Sequence, residues 1–490
     1  MMIQIHGSEF FKVELNAPTM AEDGVHLDYE SVVESGRGLF SGHSAMKIMS
    51  RGTRVTGNKK AHVLWGCLFA LCISSAQGLD YFAENGIASL NLRQHPSIAT
   101  SGNRTYVAYQ GPGEDPYVCS YDHGTGIWEG PVLAGTSLLR DGDNHGKPTI
   151  AIDDAGYIHI VFGGHGGYNG LPGDNREYSF GKNPGPEMAG KQTHMRSDSP
   201  HDISSWTEMQ CTTGYISGYG TYSQLIKMDD GDMYLFYRHG RHPSDWTYQR
   251  STDNGLSWEP EVIIMDAIES YTKESWYMWF DNGPGDTIIC GYSFHPHTDC
   301  TGHRENVYYM RMNCSDHSWE NAAGEILSMP LVKAKADAHT LAYNSGGVMI
   351  KEALVRLDPD GKPWMIFPWS VDYVYKCVRW TGETWMAPSA IDGSMNKQEA
   401  DLMVLSETSA KLLMMGNNPA TSKWSVSWYE TADAGETWRL TSSIFSETSP
   451  HQISSLYLDG HPDAQFLIGG LRTGKMYLYG ESGFVPRPAP

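Results

Sequence analysis

Three pairs of proton-moving or anion-binding side chains recur at matching points along this chain. Asn144-His145-Gly146-Lys147-Pro148 directly precedes an apolar strand at Thr149–Ile152, and Gly163-Gly164-His165 directly follows the next one, Tyr157–Phe162. Two adjacent strands of one hairpin bring His145 and His165 to the same end of a sheet. The flanking glycines leave room for a ligand to approach. The arrangement repeats with Tyr222, which enters the strand Leu225–Met228, and Arg238, which ends the strand Met233–Arg238. A third hairpin offers Tyr277 in Trp276-Tyr277-Met278-Trp279-Phe280 and, after Ile288–Ser293, His295. Imidazole and phenol exchange protons, and a guanidinium forks a carboxylate. Singly, each residue reads equally well as part of a glycine-rich turn; three pairs in phase favour a site.

A second cluster follows at once. His295-Pro296-His297-Thr298-Asp299-Cys300-Thr301-Gly302-His303 holds three histidines and a cysteine in nine residues, ligand types suited to Zn²⁺. His297, Cys300 and His303 are the expected ligands, with His239 or His242 as further contributors. The alternative is a polar loop carrying a free or disulfide-bonded cysteine. Any ion here braces the loop, because the paired residues above already carry proton-transfer and anion-binding groups.

The elements that must hold these residues are short strands on a loose repeat. Trp128, Trp206, Trp258, Trp319, Trp385 and Trp438 each close a polar, turn-forming stretch. Two of these stretches, Ser251–Trp258 and Thr431–Trp438, share the pattern Ser/Thr-x-Asp-x-Gly-x-Thr/Ser-Trp. In it Asp and Ser/Thr bond nearby backbone N–H groups, Gly takes a positive φ, and Trp plugs the space beneath. They resemble the Asp-boxes of sialidase-like propellers. Alternating segments such as Thr105–Gln110, Met233–Arg238, Trp364–Pro368 and Lys475–Tyr479 lie between the marks. Six marks and an unmarked terminal unit predict an all-β fold, one seven-bladed β-propeller over residues 77–490, with six or eight blades as alternatives.

Gly at 53 of 490 residues, aromatic content of 11% and charged content of 19% suit a turn-rich β protein. A net charge of −21 argues against a nucleic-acid partner. Beyond residue 80 no stretch is apolar enough to span a bilayer. Asn58-Lys59-Lys60, the apolar run Ala61–Ile73 and Ser74-Ser75-Ala76 read as a secretory signal with cleavage after Ala76. Residues 46–76 are then the signal, starting at Met46 or Met49, and 1–45 a non-native or disordered extension. The expected location is secreted, extracellular or periplasmic. Removing residues 1–76 takes away seven basic and seven acidic residues and leaves the charge unchanged. The six remaining cysteines, Cys119, Cys211, Cys290, Cys300, Cys314 and Cys377, are too scattered for a disulfide scaffold.

The series DNHGKP…GGHGG, TYSQ…YRHGR and WYMWF…GYSFH resembles the propeller-type ulvan lyases of polysaccharide lyase families twenty-four and twenty-five, from about Ser89 to the last strand. The resemblance implies a lyase that cleaves an anionic algal polysaccharide, the sulfated rhamnose–uronate polymer ulvan, by β-elimination at the uronate; a monomer is the separate expectation for its assembly. It places His145, His165, Tyr222 and Arg238 at catalytic positions and Asn144, Tyr277 and His295 around the substrate. No organic cofactor is implied; structural zinc is expected, with calcium as the alternative.

β-Elimination needs abstraction of a C5 proton that is barely acidic while the adjacent carboxylate keeps its charge. Arg238 is expected to neutralise that carboxylate, and His165 to orient or assist. His145 is assigned as base and Tyr222 as acid, the reverse remaining open. The acidic exterior would repel a polyanion, but salt screens charges beyond roughly 3–8 Å. Lys147, Arg238, Arg241 and Arg304 can therefore dominate locally. Two rivals share the scaffold: a sialidase-like hydrolase, and a non-catalytic glycan binder using Trp276, Trp279 and Trp369 as platforms.

Overall fold

The computed structural model describes residues 81–87, 96–137, 145–164, 192–209, 214–218, 220–239, 244–267, 275–296, 303–391, 400–418, 423–470 and 472–486, together with short strands before residue 48. The chain divides into two compact units, Met1–Ser74 and Ser75–Pro490. In the first, Met2–Ile5 pairs with Glu9–Lys12 and with Met46–Lys47. The apolar run Ala61–Ile73 lies outside the described residues.

The second unit is the predicted seven-bladed propeller, each blade an antiparallel sheet of four sequential strands, the fourth blade carrying a fifth. The inner strands run Ile98–Ser101, Thr149–Ile152, Thr221–Lys227, Ser275–Asn282, Leu354–Leu357, Ala400–Val404 and His451–Ile453, defining blades 1 to 7. Strands buried along their whole length, such as Thr149–Ile152 and Met233–Arg238, explain how the ring is built. A strand with both faces apolar can fill the gap to the blade on either side. Apolar clusters therefore occupy every seam: Ile150 and Val118 between blades 1 and 2, and Leu225 with Val161 between 2 and 3. Trp276, Leu354 and Leu402 belong to one core running from blade 3 to blade 6. Ile289 and Val355 fill the seam of blades 4 and 5, Leu413 and Ile468 that of 6 and 7, and Leu478 and Val107 that of 7 and 1.

The tryptophan marks fall at one place in each of the first six blades. Trp128, Trp206 and Trp319 lie in fourth strands, while Trp258, Trp385 and Trp438 lie just before them. Both Asp-boxes join third and fourth strands. In blade 3, Asp253 accepts bonds from the Ser257 N–H at 2.8 Å and the Ser257 hydroxyl at 2.6 Å, while Gly255 N–H donates to Ser251 Oγ at 2.9 Å. Blade 6 repeats this with Asp433, Thr437, Gly435 and Thr431. The residue before the glycine also takes positive φ, Asn254 at 59° and Ala434 at 62°.

The blade 3 box rests on a buried polar pair in blade 2. A Cβ on Gly255 would come within 2.9 Å of His159. His159 Nδ1 lies 2.9 Å from His194 Nε2, and its Nε2 is 3.2 Å from Asp153. Burial pushes both imidazoles below the ordinary histidine range, so the native pair is neutral. The unfolded chain takes up those protons below about pH 6.5. Their contribution is thus complete above about pH 6.5 and is lost as the pH falls below it. Urea midpoints should be lower at about pH 5 than at about pH 7.5, and a His194→Gln variant should lose less over that interval. An equal loss in both proteins would contradict the neutral pair.

At one end of the central channel, Arg356 of blade 5 reaches three neighbouring blades. It pairs with Asp281 of blade 4, bonds Asp401 of blade 6 at 2.9 Å, and donates to the Leu456 carbonyl of blade 7 at 2.9 Å. That end carries the C-terminal ends of the inner strands. The paired residues lie at the other end.

Candidate active site

Tyr222 and Arg238 meet at the start of the blade 3 inner hairpin, where Thr221 pairs with Arg238. The register slips between Thr221 and Gln224, and Tyr222 sits in that irregularity with a φ of 60°. A bulky residue in the left-handed region is strained and persists only where its surroundings hold it. Here they do. Trp246 stacks on the Tyr222 ring at 6.3 Å, and its indole N–H donates to the Trp276 carbonyl at 2.7 Å. Gln224 clamps the inner strand to that of blade 4, donating to the Met278 carbonyl at 3.0 Å and accepting from the Phe280 N–H at 2.8 Å. The bulge turns the phenol out of the strand's alternation and into the rim.

Around that phenol the other residues converge. The His145 ring lies 5.4 Å from the Tyr222 ring, and the Tyr277 ring lies 5.5 Å away. Arg238 is fully buried, its guanidinium 4.9 Å from the centre of the Tyr222 ring and 5.6 Å from that of Tyr277. His295 packs 6.0 Å from Tyr277, and it pairs across the hairpin with Ser275. The matching strand ends anticipated for blades 3 and 4 are therefore real.

Blade 2 reaches the same rim through glycines. The Gly163 N–H donates to the Gly146 carbonyl at 2.8 Å, tying the end of the second strand to the His145 segment. Gly164 has a φ of 79°, and a Cβ there would stand 2.1 Å from the Gly220 carbonyl oxygen, so blade 3 approaches too closely for any side chain. His165 and Asn144 lie outside the described residues, as do His297, Cys300, Arg241 and His242. His303 is described and bonds Glu305 at 2.9 Å, while His239 Nδ1 lies 3.0 Å from Glu261.

Arg304 has a larger place than its sequence context indicated. Its guanidinium lies 3.3 Å from the Tyr277 ring centre, and its Nη1 donates to the Lys351 carbonyl at 2.9 Å. Two cations thus bracket two phenols. Burial, then the charge of Tyr277, raises the Tyr222 phenol above the ordinary tyrosine range. Burial opposes ionisation of Tyr277 too, but Arg304, Arg238 and hydrogen bonds from Arg304 and Tyr222 outweigh it and hold that phenol low. Burial and the two guanidinium groups thus move the two phenols apart, Tyr222 up and Tyr277 down. The arrangement can deliver a proton from Tyr222, accept one at His145, and steady a developing anion near two guanidinium groups.

Trp276 is fully buried, and Trp279 and Trp369 nearly so. None presents an open face, which removes the platforms on which a glycan-binding role was built. Trp246 and Gln224, which hold Tyr222, carry no mark in the sequence, because their contacts are to another strand and another blade.

Residues 189–390 match the model of a BNR repeat-containing family. An ulvan lyase of Alteromonas sp. (strain LOR) is 36% identical over 442 residues, covering 84% of this chain and 88% of its own. A second, from Pseudoalteromonas sp. (strain PLSV), is 37% identical over 451 residues, covering 84% and 89%. A solved polysaccharide lyase of family PL25 bound to -[GlcA(1-4)Rha3S]- superposes with a TM-score of 0.74 at 36% identity, covering 84% of this chain and 97% of that one. Fold and relatives define a β-propeller polysaccharide lyase. Within that class the chain belongs to the PL25 ulvan lyase family.

Proposed function

We propose that this protein cleaves ulvan by β-elimination at the uronate, leaving an unsaturated uronyl end. The observation that carries this reading is the convergence of His145, Tyr222, Arg238 and Tyr277 on one rim. A uronate bound there meets His145 as base for the C5 proton and Tyr222 as acid for the departing O4. The raised Tyr222 phenol supports that order, because it stays protonated until the leaving oxygen draws its proton. Arg238 is buried behind the two rings, so it acts on the substrate carboxylate as a fixed positive field in a water-poor site, where such charges count most. His165 orients the base, and Asn144, Tyr277 and His295 hold the sugar.

Export before cleavage follows from the basic flank and apolar run at 58–76. A Zn²⁺ ion held by His297, Cys300 and His303 braces the blade 4 loop; nitrogen and thiolate donors suit zinc better than calcium. With ulvan, the purified protein should produce a steady rise in the ultraviolet absorbance of unsaturated uronate. Reducing ends appearing without that absorbance would replace elimination with hydrolysis. No product from ulvan or any other polyuronate would overturn the enzymatic reading.

A further inference from the structure

Where blade 7 meets blade 1 the ring closes, and three metal-ligating side chains converge there that the elimination does not use. His123 follows the third strand of blade 1, Pro116–Asp122, and His461 and Asp463 lie between the first two strands of blade 7. One ligand atom from each stands within 4.8 Å of the others. His461 Nδ1 and Asp463 Oδ2 are 3.8 Å apart, too far for a hydrogen bond. Two donors about 2.1 Å from one tetrahedral ion stand roughly 3.4 Å apart, close to that separation.

Two of the three donors are also held from behind, as metal ligands are. Thr105 Oγ1 lies 2.9 Å from His123 Nε2, which leaves Nδ1 for another partner. The Ser482 N–H donates to Asp463 Oδ1 at 3.1 Å, leaving Oδ2 facing His461. The Asp463 N–H donates to His461 Nδ1 at 3.2 Å, a bond that ligation through Nδ1 would replace. The two imidazoles lie face to face at 3.5 Å.

We propose that His123, His461 and Asp463 bind a divalent transition-metal ion, with Zn²⁺ the best match, that staples blade 1 to blade 7. Two imidazoles and one carboxylate favour zinc over calcium or magnesium, and partial exposure leaves an entry path and a position for water. Sharing one ion turns one imidazole out of the stack about its χ2. The ion would then link the first and last blades directly, at the seam where residues 82–87 pair with Met476 of blade 7 and bond Gln110 of blade 1.

The test uses the full chain, loaded with excess ZnCl₂ and desalted. Wild type should retain about one more zinc ion per chain than His123→Ala or His461→Ala, with any zinc on the blade 4 loop common to all and cancelling in the difference. Added ZnCl₂ should raise the thermal midpoint of wild type by several degrees more than that of either variant. Asp463→Asn keeps the shape and removes the anionic ligand, so it serves where a histidine variant does not fold. Turnover of ulvan by each variant should match wild type and certify the fold. Equal zinc contents and equal midpoint shifts in wild type and correctly folded variants would overturn the site.

Discussion

Tyr222→Phe is expected to lower kcat on ulvan by about 10²–10⁴-fold, the range that a positioned general acid supplies, while KM changes little. The substitution is unusually clean. Phenylalanine keeps the ring that stacks on Trp246 and packs against His145 and Tyr277, and the backbone still occupies the left-handed bulge. Only the hydroxyl is lost. A fold built on aromatic packing should register the change as a small shift in thermal midpoint. Initial rates of unsaturated-uronate formation, measured over a range of ulvan concentrations, separate kcat from KM. A Tyr222→Phe enzyme with kcat within about threefold of wild type would remove Tyr222 from the proton transfers.

Arg238→Met should cost about 10²–10³-fold in kcat, the loss typical of removing one preorganised charge from a transition state. The reasoning rests on burial. A cation held 4.9 and 5.6 Å from the ring centres of Tyr222 and Tyr277, with no solvent exposure, is screened far less than a surface charge. Methionine retains much of the stem that fills the space, so chemistry is lost with less packing than in Arg238→Ala. Arg238→Lys keeps the charge without the planar fork and should recover part of the rate. Thermal unfolding of all three variants guards against a collapsed site. If the methionine enzyme turned over at the wild-type rate, the carboxylate would have to be neutralised elsewhere, and Arg304 would be the first group to test.

Much of the fold and part of the site are legible in the residues themselves. Trp128, Trp206, Trp258, Trp319, Trp385 and Trp438 mark the outer edge of six successive blades because a corner plug needs a large flat side chain after a tight turn. The Tyr/Arg and Tyr/His pairs follow from hairpin logic alone, since strand alternation and a short turn determine which residues share an end. The seams are harder to read. Strands with two apolar faces say that neighbours exist on both sides, not which side chains meet there.

Local pattern therefore determined the fold class, the blade count and the end of the propeller at which Tyr222, Arg238, Tyr277 and His295 stand. Those properties depend on residues within one hairpin, where covalent geometry and the strand period leave few choices. Only the tertiary structure decided that Tyr222 adopts a positive φ, that its ring lies 5.5 Å from that of Tyr277, that Arg304 lies on the Tyr277 ring, and that His123 faces His461 across the closing seam. Each of these joins residues from different strands or blades. Their meeting is set by how seven sheets close into one ring, a condition on the whole chain that no short stretch of it contains.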